Sequence, residues 1–258
     1  MPHLAPTRHL APPPQHTADR WFRVHRTARP PRRRLICFPH AGGTAQFFHG
    51  WSAHLPADVE VLAVRYPGRQ DRLMEPCIAD MTAMADAVTE ALAGQLDLPV
   101  SLFGHSMGSA IAYEVALRLE RRGVRPERLY ASGRAAPHRA RPAGVDPDDE
   151  AGLIATVRAL GDFQAEVYDI PELRELLLPA LRADYRLIET YRPPRAIPLR
   201  TPVTAYTGLD DTHCPLADVH AWPELTTTDY ELRTFPGDHF FLVPHEAELV
   251  QDIAVRLH

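Results

Sequence analysis

Leu98-Pro99-Val100-Ser101-Leu102-Phe103 runs straight into Gly104-His105-Ser106-Met107-Gly108, and Ser109 to Leu119 follows with apolar residues at helical spacing. The first stretch is short and mostly apolar, as a buried strand is, and the last has the period of a helix. A Gly-x-Ser-x-Gly pinched between strand and helix puts the serine on a tight, strained turn that pushes its hydroxyl into a cleft. The glycines are required there, because a side chain at either position would collide with the neighbouring strand or helix. The competing reading is a helix that merely begins with small residues. The strand in front of it argues against that.

Working outward, Trp21 to Val24 reads as a first strand, set apart by a basic linker from Leu35-Ile36-Cys37-Phe38. The latter ends at Pro39-His40-Ala41-Gly42-Gly43. Gln46 to His54 reads as a short helix, Val59 to Val64 as a buried strand closed by Pro67-Gly68, and Met81 to Leu96 as a helix. Beyond the serine turn come strands at Leu129 to Ala131, Val203 to Tyr206 and Glu231 to Phe235, then an amphipathic helix from Glu246 to Leu257. Strands alternating with helices predict an α/β fold, a mostly parallel sheet covered on both faces. With the serine turn it reads as an α/β-hydrolase fold. The alternation fails between about 148 and 191, where the pattern is helical throughout; a hydrolase of this class carries a lid there. The expected layout is a poorly ordered leader at 1–20 and a single domain at 21–258 that contains this lid.

The composition narrows the chemistry. With 45% hydrophobic and 24% charged residues, the 258-residue chain has the balance of a soluble globular protein. All 28 basic residues are arginine. The absence of lysine excludes a lysine nucleophile, a pyridoxal Schiff base and a Walker-type phosphate loop. Cys37, Cys77 and Cys214 are too few and too scattered for a disulfide framework or a zinc site. Cys37, inside an apolar strand, reads as a small buried hydrophobe. No stretch resembles a signal peptide or a membrane span, so a cytoplasmic location is expected by default. Residues 1–34 hold eight arginines against one acid, Asp19, together with seven prolines. Such a segment could meet nucleic acid or an acidic partner, but a solvated leader is the simpler reading, and no nucleic acid or membrane is expected as a partner.

A serine hydroxyl needs a base within hydrogen-bond reach, and the base needs a third group to fix its tautomer. In this fold the chain order is Ser, acid, His. His239 follows the last expected strand across Pro236-Gly237-Asp238, which places its ring at the C-terminal edge of the sheet. His245 reads as surface, and His213 sits too near the candidate acids to reach the serine. The acid belongs to the loop after the penultimate strand, Thr207-Gly208-Leu209-Asp210-Asp211. Asp210 and Asp211 compete; the turn geometry after Gly208 favours Asp211. Two amide donors are needed for the oxyanion, and the N–H groups of Met107 and Ala41 are placed to supply them.

The segments Trp21-Phe22-Arg23, Cys37-Phe38-Pro39-His40-Ala41-Gly42-Gly43, Tyr66-Pro67-Gly68-Arg69, Gly104-His105-Ser106-Met107-Gly108, Ser132-Gly133-Arg134 and Gly237-Asp238-His239-Phe240 together resemble the type II thioesterases. These discrete editing enzymes accompany polyketide and nonribosomal peptide synthases. The resemblance runs from Trp21 to the end of the chain and departs at Thr212-His213-Cys214, where relatives often carry Asp-Pro. It implies a Ser106, Asp211, His239 triad with Ala41 and Met107 as oxyanion donors. It also implies hydrolysis of acyl groups from the phosphopantetheine arm of a carrier protein, by a monomer with no metal or cofactor of its own. A roof over the acyl chain would come from the lid, with Phe163, Tyr168 and Leu176 as candidate contacts. Carrier proteins are acidic, and so is the body of this chain. Docking is therefore expected to use local arginines, Arg69, Arg121 or Arg122, or the basic leader. Hydrolysis of medium-chain acyl carriers, acyl-CoA or small esters, and a non-catalytic binding role for the scaffold, are the alternatives.

Overall fold

A computed structural model describes residues 20–26, 30–142, 144–161 and 165–257. The leader through residue 19 and Phe163 lie outside the described residues. Among the described residues, seven strands form one sheet: β1 (Phe22–Arg26), β2 (Arg33–Phe38), β3 (Val59–Val64), β4 (Val100–His105), β5 (Leu129–Ser132), β6 (Val203–Gly208) and β7 (Tyr230–Phe235). Their spatial order is β1-β3-β2-β4-β5-β6-β7, parallel except for β1, which runs antiparallel to β3. The first expected strand is thus an edge strand. Arg20, expected in the leader, already donates from Nε to Glu75 at 2.9 Å.

The inner strands β3 to β6 are buried almost throughout because both faces of the sheet are covered. Alternate residues part cleanly. Ile36, Phe38, Leu62, Val64 and Leu102 enter the core under helices α1 (Met81–Leu92) and α2 (Met107–Arg121). Leu35, Cys37, Val61, Ala63 and Phe103 enter the opposite core under the last helix of the chain, Glu246–Arg256. Cys37 is fully buried, as a small hydrophobe would be. The stretch expected as one helix over Gln46 to His54 is instead two 3-10 turns, Ala45–Phe48 and Trp51–Ala53, with His49 and Gly50 between them. Their job is aromatic packing: Phe48 and Trp51 both set their rings edge-on against Phe103.

The insertion after β5 contains helices α3 (Glu150–Ala159) and α4 (Pro171–Thr190), with a 3-10 turn at Ala165–Asp169. It is not helical throughout. Gly161 takes φ = 78°, a left-handed value that ends α3, and Pro171 opens α4 at its first turn. The insertion has a small core of its own, made by residues such as Leu153, Val157, Tyr168 and Leu181. Two further helices follow, α5 (Leu216–Val219) and α6 (Glu246–Arg256). No helix among the described residues is long and apolar enough to cross a membrane.

Chain order turns around in the middle of the sheet. From β2 the chain moves outward to β3, and from β4 it moves the other way through β5, β6 and β7. The connections after β2 and β4 therefore diverge and leave a crevice at the carboxyl ends of those strands, the usual place for a ligand in an open α/β sheet. Phe38 pairs with Gly104 across that boundary, so the loop beginning at Pro39 and the turn at Ser106 emerge side by side.

Candidate active site

Ser106 has φ = 54° and ψ = −119°, a strained conformation for a residue with a side chain, and one of two such positive-φ non-glycine residues among those described. The flanking glycines explain how the turn can exist. A Cβ on Gly104 would lie 2.2 Å from the Gly108 carbonyl oxygen, and one on Gly108 would lie 2.1 Å from the Phe38 oxygen. Both obstacles are backbone, so no side-chain motion relieves them. The turn is pinned from β5: the Ser106 N–H donates to the Ser132 carbonyl at 2.8 Å, and Ser109 Oγ accepts the Ser132 N–H at 3.0 Å.

His239 stands in the loop after β7, with its side chain buried. Its Nδ1 lies 2.7 Å from Asp211 Oδ2. The other carboxylate oxygen of Asp211 accepts the N–H groups of His213 and Cys214, each at 3.0 Å. Burial pushes the Asp211 pKa up, but the His239 hydrogen bond and charge, with the two amides, outweigh it and hold the carboxyl below its ordinary value. The acid therefore stays ionised. Asp210 is exposed and turned elsewhere: its carboxylate accepts the Gly237 N–H at 3.2 Å. The geometry separates the two aspartates, and Asp211 is the one that meets the histidine.

The remaining ring nitrogen of His239, Nε2, is buried and has no hydrogen-bond partner among the described residues. His239 and Ser106 line one cavity of about 330 Å3, together with Ala41 and Met107. Met107 is the first residue of α2, so its N–H has no partner within the helix. Two further imidazoles crowd the base, His105 at 5.0 Å between ring centroids and His40 at 5.9 Å from His105. Burial, reinforced by the charge of His239, pulls His40 down to about 3 and holds His105 well below the usual imidazole value. Both stay neutral at working pH. Of the three rings, His239 has the carboxylate.

Two of the three expected acyl contacts are corrected. Tyr168 is buried in the insertion's own core, and Leu176 is 48% exposed; neither lines the cavity. The lid residues that do line it are Thr156 and Val157 of α3, Leu160 just beyond its end, and Tyr185, Ile188 and Glu189 of α4. His213, set aside from the sequence, also lines the cavity. Of the expected docking arginines, Arg69 is corrected. Arg69 is 4% exposed and paired with Asp184, out of reach of any partner. Arg121 and Arg122 lie at the far end of α2, about 22 Å along the helix from Ser106, towards the opposite edge of the sheet. The arginines at the cavity are Arg134 and Arg141. Sequence reasoning missed these, along with the buried Arg69–Asp184 pair.

The family model described as the thioesterase domain matches residues 33–257. A probable cadicidin biosynthesis thioesterase of Streptomyces griseus is 43% identical over 242 residues, covering 94% of this chain and 67% of that protein. Thioesterase PikA5 of Streptomyces venezuelae is 40% identical over 243 residues, covering 92% and 85% respectively. Among solved structures, the type II thioesterase BorB from the borrelidin biosynthetic cluster superimposes with a TM-score of 0.86 at 41% identity, covering 92% of this chain and 98% of that one.

Proposed function

The chain belongs to the thioesterase family, and from that premise we propose that it is a serine thioesterase acting on acyl groups carried by phosphopantetheine. The arm belongs to a carrier protein domain of a polyketide or nonribosomal peptide synthase. The role is editing, the removal of stalled or aberrant chains, performed by a monomer in the cytoplasm. The observation that carries the mechanism is the Asp211–His239 pair with its free Nε2, in the cavity that also holds the strained Ser106.

His239 Nε2 takes the proton of the Ser106 hydroxyl as Oγ attacks the thioester carbonyl carbon. Asp211 holds Nδ1–H and stabilises the imidazolium that forms. The Ala41 and Met107 N–H groups receive the charge on the carbonyl oxygen. Collapse of the tetrahedral species breaks the C–S bond, and the pantetheine sulfur takes the proton from His239 Nε2 and leaves as the thiol, which restores the imidazole as a base. Water then gives a proton to the same nitrogen and attacks the Ser106 ester. The acid is released and the hydroxyl restored.

The cavity wall supports an acyl substrate: Val157, Leu160, Ile188 and Phe240 are apolar and lie around the reacting groups. Arg141, exposed at the edge of the cavity, makes this the side for an acidic carrier to approach. The test is turnover of one acyl group offered on a carrier protein, on coenzyme A and as an aryl ester, with Ser106→Ala as the blank. Preference for the carrier in kcat/KM is the expected result. Equal turnover of the coenzyme A ester would replace the editing role with general acyl-thioester hydrolysis.

A further inference from the structure

The loop that carries Ala41 is held from outside the sheet. The Gly43 N–H donates to the His40 carbonyl at 3.0 Å and closes a four-residue turn, in which Gly42 takes φ = 75°. That is the value a type II turn demands at its third residue, and it leaves the central peptide, between Ala41 and Gly42, as the part able to rotate. The N–H of that peptide is not free: Gly42 donates to Asp184 Oδ2 at 2.8 Å. Asp184 lies in α4, within the lid insertion, and has no exposed surface.

Arg69, from the turn after β3, grips the same carboxylate with two bonds of 2.7 Å, Nη1 to Oδ2 and Nη2 to Oδ1. Its Nη1 also donates to the Gly43 carbonyl at 3.1 Å. The Tyr66 ring supports the guanidinium at 5.3 Å, and its hydroxyl donates to the Pro39 carbonyl at 3.2 Å. From the same helix, Leu181 Cδ1 lies 3.0 Å from where a Cβ on Gly42 would sit. Desolvation makes a buried ion pair a poor way to add stability. Here the bonds these groups make beyond the pair end on the backbone of the Pro39–Gly43 loop.

We propose that Asp184 is a positioning residue for thioester hydrolysis. Its carboxylate, delivered by the lid helix and steadied by Arg69, fixes the central peptide of the turn, and with the Arg69–Gly43 and Tyr66–Pro39 bonds it holds in place the loop whose His40–Ala41 peptide presents the N–H to the oxyanion. The lid helix and the oxyanion donor then behave as one unit. Displacing α4 removes the acceptor from Gly42 and releases the turn. This rests on the serine mechanism above.

The test compares two double variants. Arg69→Met with Asp184→Leu removes both charges together, so no lone charge stays buried, and it removes the acceptor. Arg69→Met with Asp184→Asn restores a neutral acceptor to Gly42. The first is expected to fold by circular dichroism, with kcat lower by roughly 10- to 100-fold and KM little changed. Affinity for a trifluoromethyl ketone analogue, which adds Ser106 Oγ to give a tetrahedral oxyanion, should fall by a similar factor. The second should recover most of that loss. A folded Asp184→Leu double variant with wild-type kcat overturns the proposal, as does an equal loss in both. If neither folds, amide exchange on the wild type decides: matching protection of Gly42 and of α4 around Asp184 supports a single unit, and a fast-exchanging Gly42 contradicts it. Turnover retained by Ser106→Ala would instead refute the serine mechanism itself, whatever the double variants do.

Discussion

Asp211→Asn isolates the role of the acid, because the surrounding bonds dictate how the new amide must sit. Asp211 Oδ1 accepts two backbone N–H groups at 3.0 Å, while Oδ2 faces His239 Nδ1 at 2.7 Å. An asparagine has one acceptor oxygen, and the two amide donors claim it. The NH2 group then points at Nδ1 and turns that nitrogen into an acceptor. The proton moves to Nε2, where a base is needed, and Ser106 loses its proton acceptor. A wrong tautomer of this kind costs about 10⁴ in kcat, or about 5.5 kcal/mol of transition-state stabilisation. The good thiolate leaving group does not soften the loss, since both the attack by Ser106 and the attack by water need Nε2 as a base. Acyl release measured under saturating substrate should fall by that factor, with the melting temperature and KM close to wild type. Asp210→Asn, at an exposed position bonded to Gly237, should stay within about threefold of wild type, as surface changes away from the site do. Retention of more than a tenth of wild-type turnover by Asp211→Asn would refute the reasoning.

Gly108→Ala places a methyl 2.1 Å from the Phe38 carbonyl oxygen and 2.7 Å from that of Pro39, so β2 and α2 must separate; denaturant unfolding should show a loss of about 3 kcal/mol or more. The buried neutral imidazoles make the fold acid-sensitive. His40 and His105 exclude a proton that the unfolded chain binds below about pH 6.5, so the stability they permit is complete above that value and is lost as pH falls towards the folded value, about 3 for His40. Between pH 6.5 and 5 this amounts to about 2 kcal/mol for His40, with His105 acting in the same direction, and melting at pH 5 should come at least roughly 5 °C lower than at pH 7.5; a flat profile contradicts it. Leu160→Trp narrows the cavity and should shift the acyl-length profile towards shorter chains, while Leu176→Ala, on the exposed side of α4, should leave the profile unchanged.

The parts of the fold and site that could be read from the sequence are those set by neighbours along the chain. Gly104 and Gly108 announce the serine turn because backbone presses on both, and no other residue fits. Asp211 follows from its place just beyond the buried strand β6, and His239 from the Pro236-Gly237-Asp238 turn that ends β7. The lid was legible as a helical insertion, but not its face. Leucine spacing identifies the apolar side of a helix without saying whether that side meets the insertion's own core, as Leu181 does, or the cavity, as Leu160 does. That depends on how the insertion docks on the sheet. The single helix expected across His49 and Gly50 failed for a related reason: packing of Phe48 and Trp51 on Phe103 set the local geometry rather than helical period. The pairing of Arg69 with Asp184 spans 115 residues and two elements, and no local pattern encodes it.

The central claim is that Ser106 becomes acylated with His239 as its base. Intact-mass analysis after rapid mixing with a slowly hydrolysed acyl thioester tests it most directly. The account predicts a mass increase equal to the acyl group, mapped to the peptide containing Ser106, absent in Ser106→Ala and slow to form in His239→Ala. Turnover that persists in Ser106→Ala, with no acylated species at any time, would contradict it.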